Sequence, residues 1–138
     1  MSFAPVSEAR GARLELDLSE CQSIGLKGEE IAATHLRRLG WEILEKRYRC
    51  PQGEIDVIAR QGATLVFLEV KTLRTRGKHP AGAVDKRKRS RLAAAAEHYL
   101  ACRHIGECSC RFDVAEVEML PDGTGRVQLI TNAFMAGE

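Results

Sequence analysis

Two apolar segments joined through a glycine are the feature of this 138-residue sequence that most constrains its fold. Residues 53–60 and 64–71 are rich in β-branched and aromatic side chains and are bounded by glycine. This pattern predicts two antiparallel strands connected by a tight turn. The turn centres either on Gly62 and Ala63 or on Gln61 and Gly62, and the sequence alone leaves both registers open.

The predicted hairpin carries charged residues among its apolar ones. Side chains alternate between the two faces of a strand, so one face of the first strand should hold Ile55, Val57 and Ala59. Asp56 points to the other face, and either register brings it beside Glu69 of the second strand. Lys71 lies two residues farther along the same face as Glu69.

Carboxylates that face each other across a hairpin destabilise the sheet. Strand carboxylates often simply face water, and Glu69 with Lys71 would then be a solvated pair of little energetic value. The apolar context of the hairpin favours burial instead, and a divalent cation would relieve the repulsion between Asp56 and Glu69. Hard oxygen ligands of this kind suit Mg²⁺ or Mn²⁺.

Asp56 with Glu69-Val70-Lys71 resembles the Asp…Glu-x-Lys signature of the restriction-endonuclease-like nuclease superfamily. A longer ordered set resembles the YraN-like bacterial family, which is itself similar to archaeal Holliday-junction resolvases. That set comprises Gly28-Glu29, Leu39-Gly40-Trp41, Gly53-Glu54-Ile55-Asp56, Phe67-Leu68-Glu69-Val70-Lys71-Thr72, Lys88, Arg91-Leu92, Arg111-Phe112-Asp113 and Asn132-Ala133-Phe134. The likeness covers roughly residues 23 to 134.

The resemblance implies a restriction-endonuclease-like fold and phosphodiester hydrolysis with Mg²⁺ or Mn²⁺. The metal would be held by Asp56, Glu69 and the carbonyl of Val70, and Lys71 would act on the attacking water or the oxyanion. Resolvase-like enzymes add a helix glutamate at the spacing that Glu29 has from Gly40. A first-turn glutamate that only favours the helix dipole would look the same. Branched DNA and a homodimer are expectations by analogy.

The order of elements agrees with that fold. Helical periodicity runs from an expected cap at Ser23 to about Arg38, and a second helix is expected over 84–101. Strands are expected over 41–49, in the hairpin, over 111–119 and over 126–131. This αβββαββ order predicts an α/β protein with a mixed central sheet flanked by helices. We expect one endonuclease-like domain over 23–134, with 1–22 as a tail or docking segment and 135–138 as a C-terminal tail.

The positive charge is concentrated in one window. From Lys71 to Arg91 there are nine Lys or Arg residues and a single acid, Asp85, although the whole chain has a formal net charge of only +2. A solvated helix face would also produce such a block, but its position beside the hairpin favours a nucleic-acid partner, and DNA first. The candidate phosphate-binding residues are Arg74, Arg76, Lys78, Lys86, Lys88 and Arg91. The YraN-like pattern has Arg where this chain has Leu73, so Arg74 or Arg76 is expected to substitute.

Other features bound the environment of the protein. No stretch approaches the ~20 apolar residues of a membrane span. Met1 is followed by no charged and apolar leader, so we expect a cytoplasmic protein without a membrane partner. Five cysteines without a disulfide rhythm fit a reducing compartment. Cys102, Cys108 and Cys110 lie near His98 and His104, which allows structural zinc, although ordinary loop and core cysteines are the simpler interpretation.

Three functions remain open from the sequence. A metal-dependent endonuclease is the leading hypothesis. A nucleic-acid-binding protein that keeps the fold without useful catalysis would use overlapping residues. An accessory subunit of another nuclease or of the division machinery is the third. Neither the substrate topology nor the choice between DNA and RNA follows from the residues.

Overall fold

The computed structural model describes residues 18–73 and 85–134. Its elements are α1 (Leu18–Arg38), β1 (Glu42–Cys50), β2 (Gly53–Gln61), β3 (Thr64–Leu73), α2 (Lys86–Cys102), β4 (Ser109–Met119) and β5 (Gly125–Phe134). The predicted αβββαββ order and the α/β fold class are therefore confirmed, and the architecture is consistent with a restriction-endonuclease-like core. Neither helix in this described part of the chain combines the length and apolar character needed to cross a membrane.

The five strands form one mixed sheet in the order β1-β2-β3-β4-β5. All neighbours are antiparallel except β3 and β4, which run parallel from Thr64↔Ser109 to Leu73↔Glu118. Parallel strands require a crossover connection, and α2 lies in that connection. The crossover brings the start of the basic helix back over the strands that carry Asp56 and Glu69.

The sheet buries a separate apolar cluster on each face. The cluster under α2 consists of Ile55, Ile58, Leu65, Phe67, Leu92, Ala95, Ala96, Tyr99, Phe112, Val114 and Phe134. The cluster under α1 consists of Ile31, Ala32, Leu36, Trp41, Val57, Ala59, Val66, Leu68, Ala115 and Val117. Both faces are covered, which explains the nearly continuous apolar runs of β2 and β3.

The central hairpin has the first of the two registers that the sequence allows. Gln61 pairs with Thr64, so Gly62 and Ala63 form a two-residue turn. The pairing of β2 with β3 continues from there to Val57↔Leu68. The positive φ of 61° at Gly62 suits a residue without a Cβ.

Strand alternation is interrupted at Asp56. Ile55 packs with Ile58 in the cluster under α2, whereas Val57 and Ala59 pack under α1. The prediction that Ile55, Val57 and Ala59 share one face is therefore wrong for Ile55. The recorded β2–β3 ladder stops at Val57, and the Asp56 side chain then accepts the N–H of Val70 at 2.8 Å. Because the Asp56 side chain, and not the β2 backbone, accepts the Val70 N–H, β2 no longer has to follow regular strand alternation at this residue.

The first helix begins at Leu18, so the predicted cap at Ser23 is wrong. A serine inside a helix costs only a few tenths of a kcal/mol, and no Gly or Pro interrupts residues 18–24. The predicted end at about Arg38 is confirmed. Gly40 has φ 92°, and the N–H groups of Gly40 and Trp41 return to the carbonyls of Arg37 and Leu36 at 2.9 and 3.0 Å.

The second helix begins at Lys86 and is capped by Asp85, whose carboxylate accepts the N–H of Lys88 at 2.9 Å. The first residue of the predicted range, Val84, lies outside the described residues. No acid occupies the first turn of α2. Its cations therefore oppose the helix dipole, and Asp85 offsets only part of that cost.

A buried carboxylate ties β4 to β5. Asp113 has no solvent exposure, pairs with Arg111 Nε at 3.0 Å and accepts the backbone N–H of Asn132 at 2.7 Å. Next to it, Phe112 stacks on Phe134 with ring centroids 4.7 Å apart. Asp113 is therefore part of the scaffold rather than of a cleft. These contacts explain two segments of the family pattern as parts of the scaffold.

Gly28 lets α1 approach the sheet closely. A Cβ on Gly28 would lie 2.1 Å from Thr72 Oγ1 and 3.1 Å from Thr72 Cβ. We therefore expect Gly28→Ala to destabilise the protein by about 1–3 kcal/mol, because helix or strand must shift. Gly25 on the same helix has nothing within 4 Å of its Cβ position, so Gly25→Ala should be neutral or stabilising by up to about 1 kcal/mol. Urea unfolding of the two variants measures the difference, and equal midpoints would contradict the proposed contact.

Candidate functional site: a carboxylate cleft

An open cleft lies where β2, β3 and the start of α2 meet. Its volume is about 280 Å³, and it is lined by Gly53, Glu54, Asp56, Glu69, Lys88, Arg91 and Leu92. We call it the carboxylate cleft. A water molecule occupies about 30 Å³ in the liquid, so the cleft has room for a hydrated ion and a phosphate group.

Asp56 enters the cleft from the point at which β2 leaves β3. Burial, and after it the neighbouring charge of Glu69, raise the pKa of Asp56 to about 7. The hydrogen bond from Val70 N–H to Asp56 Oδ2 opposes this shift but does not overcome it. Its buried position beside Glu69 thus disfavours the ionised form of Asp56, and a cation beside it would remove that penalty.

Glu69 comes from β3 and is nearly buried, with 6% of the residue exposed. Its Oε2 atom lies 2.5 Å from Nζ of Lys88, which descends from the first turn of α2. Burial lowers the pKa of Lys88, but the hydrogen bond to Glu69 and the negative charges of Glu69 and Asp56 together outweigh burial and leave that pKa raised. The sequence assigned Lys88 to phosphate binding, and its pairing with Glu69 was missed because no short-range signal links β3 to α2.

Glu54 and Arg91 complete the rim of the cleft. Glu54 lies 3.7 Å from Arg47 and 3.5 Å from Arg49 of β1, which holds it in a solvent-exposed charge network. Gly53 lies directly under α2, since a Cβ there would contact Arg91 at 3.5 Å. Arg91 is exposed and lines the cleft together with the two carboxylates.

Glu29 approaches the site from the other layer. It lies on α1, is half-buried, and does not line the cleft. Burial raises the pKa of Glu29, and the charges of Glu54 and Glu69 contribute in the same direction. Glu29 in turn raises the pKa of Asp56. The structure therefore brings Glu29 into the electrostatic field of the two acids, and its service as a metal ligand stays a prediction.

Lys71 stands in register with Glu116, a residue that the sequence reasoning did not select. The two residues are partners on the parallel strands β3 and β4, so their side chains leave the same face of the sheet. Glu116 is 8% exposed, and its Oε2 has no hydrogen-bond partner among the described residues. An acid inside the apolar run of β4 was a visible signal in the sequence, but only the β3–β4 register connects it with Lys71.

The basic block is described in part. Arg74, Arg76 and Lys78 lie outside the described residues. The prediction that Arg74 or Arg76 substitutes for the arginine expected at Leu73 therefore stays a prediction. Lys86 and Arg91 are exposed on α2, while Lys88 is half-buried and turned into the cleft. Lys88 and Arg91 are three residues apart on one helix face, and both line the cleft.

The donor set fits a small hard cation. Within residues 18–73 and 85–134, no group of three or more His, Cys, Asp or Glu side chains is arranged to hold a metal ion. Mg²⁺, however, commonly keeps several waters and binds proteins through one or two carboxylates together with substrate phosphates. Asp56 and Glu69 supply two such carboxylates, and the Lys88 ammonium on Glu69 shows that a cation is accommodated there.

The described residues of the zinc interpretation, Cys102, Cys108, Cys110, His98 and His104, do not line the carboxylate cleft. Cys108 and Cys110 bring their sulfur atoms to 3.6 Å at the start of β4. Cys102 lies 3.6 Å from Nδ1 of His98, and the same His98 nitrogen is 2.6 Å from the hydroxyl of Tyr48. The zinc interpretation of these residues stays untested.

The residues that line the cleft lie within the part of the chain that matches a known protein family. A family model described as "Uncharacterised protein family UPF0102" matches residues 28–117. The UPF0102 protein of Geobacter sulfurreducens is 41% identical over 112 residues, covering 80% of this chain and 88% of the relative. The UPF0102 protein of Symbiobacterium thermophilum is 47% identical over 114 residues, covering 82% and 97%.

A solved structure, SfsA of Pyrococcus furiosus in complex with Ca²⁺, is also similar to this chain. The TM-score is 0.41 and the sequence identity is 14%. The similarity covers 80% of this chain and 63% of that chain.

Proposed function

The chain belongs to the UPF0102 family, and we propose that it is a metal-dependent nuclease that hydrolyses phosphodiester bonds of DNA. The observation that carries the proposal is the carboxylate cleft. Two poorly solvated acids, Asp56 and Glu69, meet in an open cavity that the cations of α2 also enter.

A folding role does not account for this arrangement. Burying two like charges side by side costs stability, and the raised pKa of Asp56 records that cost. A hydrophobic pair would have completed the cluster under α2 at no such penalty. Clefts with perturbed acids are typical of catalytic and ligand sites.

The chain's own groups support defined roles in hydrolysis. Asp56 and Glu69 would hold Mg²⁺ or Mn²⁺, which when bound lowers the pKa of water and neutralises charge on the phosphoryl group. Lys71 would orient the attacking water or stabilise the developing oxyanion. Arg91 and Lys86, exposed on α2, would bind backbone phosphates, which supply affinity without sequence information.

The proposal is tested by incubating the protein with linear, flayed and branched DNA and with RNA, in Mg²⁺, Mn²⁺ or EDTA. We expect cleavage only with metal, and a loss of about 10²-fold or more in rate for Lys71→Ala. Arg126→Ala is the matched control, because Arg126 is exposed on β5, pairs with Glu118 and lies outside the cleft. Its cleavage rate should equal that of the unmodified protein.

Two outcomes would overturn the nuclease proposal. Full activity in Lys71→Ala would place any cleavage at another site or in a contaminant. Binding of DNA that is equally tight in EDTA, salt-dependent and never followed by cleavage would instead identify a binding protein. The Lys88–Glu69 pair is the observation that favours this second function, since it already neutralises one of the two acids.

A further inference from the structure

The ammonium group of Lys88 is the counter-ion of the Glu69 carboxylate. Lys88 Nζ lies 2.5 Å from Glu69 Oε2, and the carboxylate side chain is only 7% exposed. A carboxylate so poorly solvated needs a counter-ion at all times. Among the described residues, Lys88 is the cation within ion-pair distance of Glu69.

The two members of this pair differ in freedom of movement. Glu69 is fixed in β3, between neighbours that pair with β4 through Leu68↔Asp113 and Val70↔Ala115. Lys88 projects from the first turn of α2, and 43% of its side chain is exposed. A lysine ammonium is a strongly hydrated charge on a flexible four-carbon stem. The Lys88 ammonium can therefore turn into solvent when another cation replaces it, whereas the Glu69 carboxylate stays in the sheet.

The position of Lys88 is costly for the helix. The first turn of α2 carries basic residues and no acid, so each cation there opposes the helix dipole. The Lys88 charge is stabilised by Glu69 across the cleft rather than by its own helix. A neutral residue at position 88 would favour the helix more, which indicates that the ammonium serves the cleft.

We infer that Lys88 is an internal counter-ion that competes with a divalent cation for the Glu69 carboxylate. The inference rests on the proposed metal-dependent function and specifies how its metal site is regulated. A metal ion on Glu69 and an ammonium on the same oxygen would be held only a few ångströms apart, and their charges repel strongly in this poorly solvated cleft. Binding of one therefore requires departure of the other.

The competition has a thermodynamic consequence for metal loading. An anion that draws Lys88 away from Glu69 raises the metal affinity, and the metal raises the affinity for that anion by the same factor. A backbone phosphate in the cleft is such an anion. The free protein should hold metal weakly, and tight loading should follow occupation of the cleft.

The test is a titration with Mn²⁺, followed by the electron paramagnetic resonance signal of the free ion. We expect Lys88→Met to bind Mn²⁺ about tenfold or more tightly than the unmodified protein. Arg87→Met removes one positive charge from the same helix turn but leaves the Glu69 pair intact, so its affinity should change by less than about twofold. Glu69→Gln should lose the site in every background.

A second variant guards against misfolding. Lys88→Gln keeps a polar side chain of similar length without the charge. In EDTA, the melting temperature of Lys88→Gln should be lower than that of the unmodified protein, because Glu69 loses its partner. Addition of Mn²⁺ should raise the melting temperature of Lys88→Gln by more than it raises that of the unmodified protein. This thermal readout does not depend on any cleavage activity.

The outcomes separate this inference from the proposed function. If the unmodified protein binds Mn²⁺ through Glu69 and Lys88→Met binds it no more tightly, the counter-ion inference is wrong and the metal site stands. If only the Lys88 variants bind Mn²⁺, the inference is supported in its strongest form. If no variant binds Mn²⁺, both the inference and the proposed metal-dependent function fail.

Discussion

Asp56→Asn should abolish metal-dependent cleavage and yet make the protein harder to unfold at pH 8. The loss of activity, about 10³-fold or more, follows from removing one of two carboxylates proposed to hold the ion. The gain in stability follows from the environment of Asp56, where burial and the charge of Glu69 raise its pKa to about 7. An asparagine keeps an oxygen that can accept the Val70 N–H while removing the charge.

The sign of the pH dependence follows from proton linkage. The pKa of Asp56 is raised from 3.8 to about 7 in the folded protein, so between these values the native state binds a proton that the unfolded chain has lost. The contribution of Asp56 to stability therefore falls as pH rises from about 4 to about 7, and is constant above that range. The corresponding upper bound on the gain for Asp56→Asn at pH 8 is about 4 kcal/mol, and about 2–4 kcal/mol is expected.

The free energy of unfolding, measured with urea in EDTA from pH 4.5 to pH 8 in steps of about half a pH unit, checks this expectation. Glu118→Gln is the control, because Glu118 is an acid of β4 that pairs with Arg126 outside the cleft. That variant should follow the pH profile of the unmodified protein. An Asp56→Asn protein that is less stable at pH 8 would show that Asp56 contributes to folding as a charged group, and would remove the electrostatic basis of the proposed site.

Asp113→Ala should have the largest effect on stability, a loss of about 3–5 kcal/mol. The substitution leaves the Arg111 guanidinium, whose side chain is 21% exposed, without its carboxylate. It also leaves the backbone N–H of Asn132 without an acceptor. Because a domain of this size has a total stability of about 5–15 kcal/mol, the variant should unfold at much lower urea concentration or fail to fold.

The matched control for Asp113 is again on β4. Glu118→Ala breaks a solvent-exposed pair with Arg126 at 3.4 Å and should cost less than about 1 kcal/mol. Asp113→Asn is the informative intermediate, since its oxygen can still accept the Asn132 N–H while the ion pair with Arg111 is lost. Equal stability of Asp113→Ala and Glu118→Ala would show that the buried pair contributes nothing to the β4–β5 connection.

Local features of the sequence were sufficient to predict the elements and the central hairpin. The strands that hold Asp56 and Glu69 are defined by residues within one hairpin, where alternation and a glycine turn act over short range. The end of α1 at Arg38 was accessible for the same reason. Each of these predictions depends on residues that are close in sequence.

Contacts between distant segments could not be predicted. The parallel pairing of β3 with β4 sets Glu116 beside Lys71, and the crossover sets Lys88 on Glu69. Both contacts depend on the side of β3 at which β4 joins the sheet and on the position of α2 over it. Helical and strand periodicity carry no information about either position. The position of Ile55 was missed for a different reason, because a side chain acting as a backbone partner overrides alternation at Asp56.

The crossover between β3 and β4 also orders events during synthesis. β1, β2 and β3 are successive antiparallel neighbours, so their contacts close over short loops, whereas β3 and β4 must wait for α2 to emerge. A nascent chain that has left the ribosome as far as Leu73 already contains both acids of the cleft but not yet Lys88. Because α2 supplies both the apolar cover over this face of the sheet and the lysine, burial of Glu69 and arrival of its counter-ion occur in the same step.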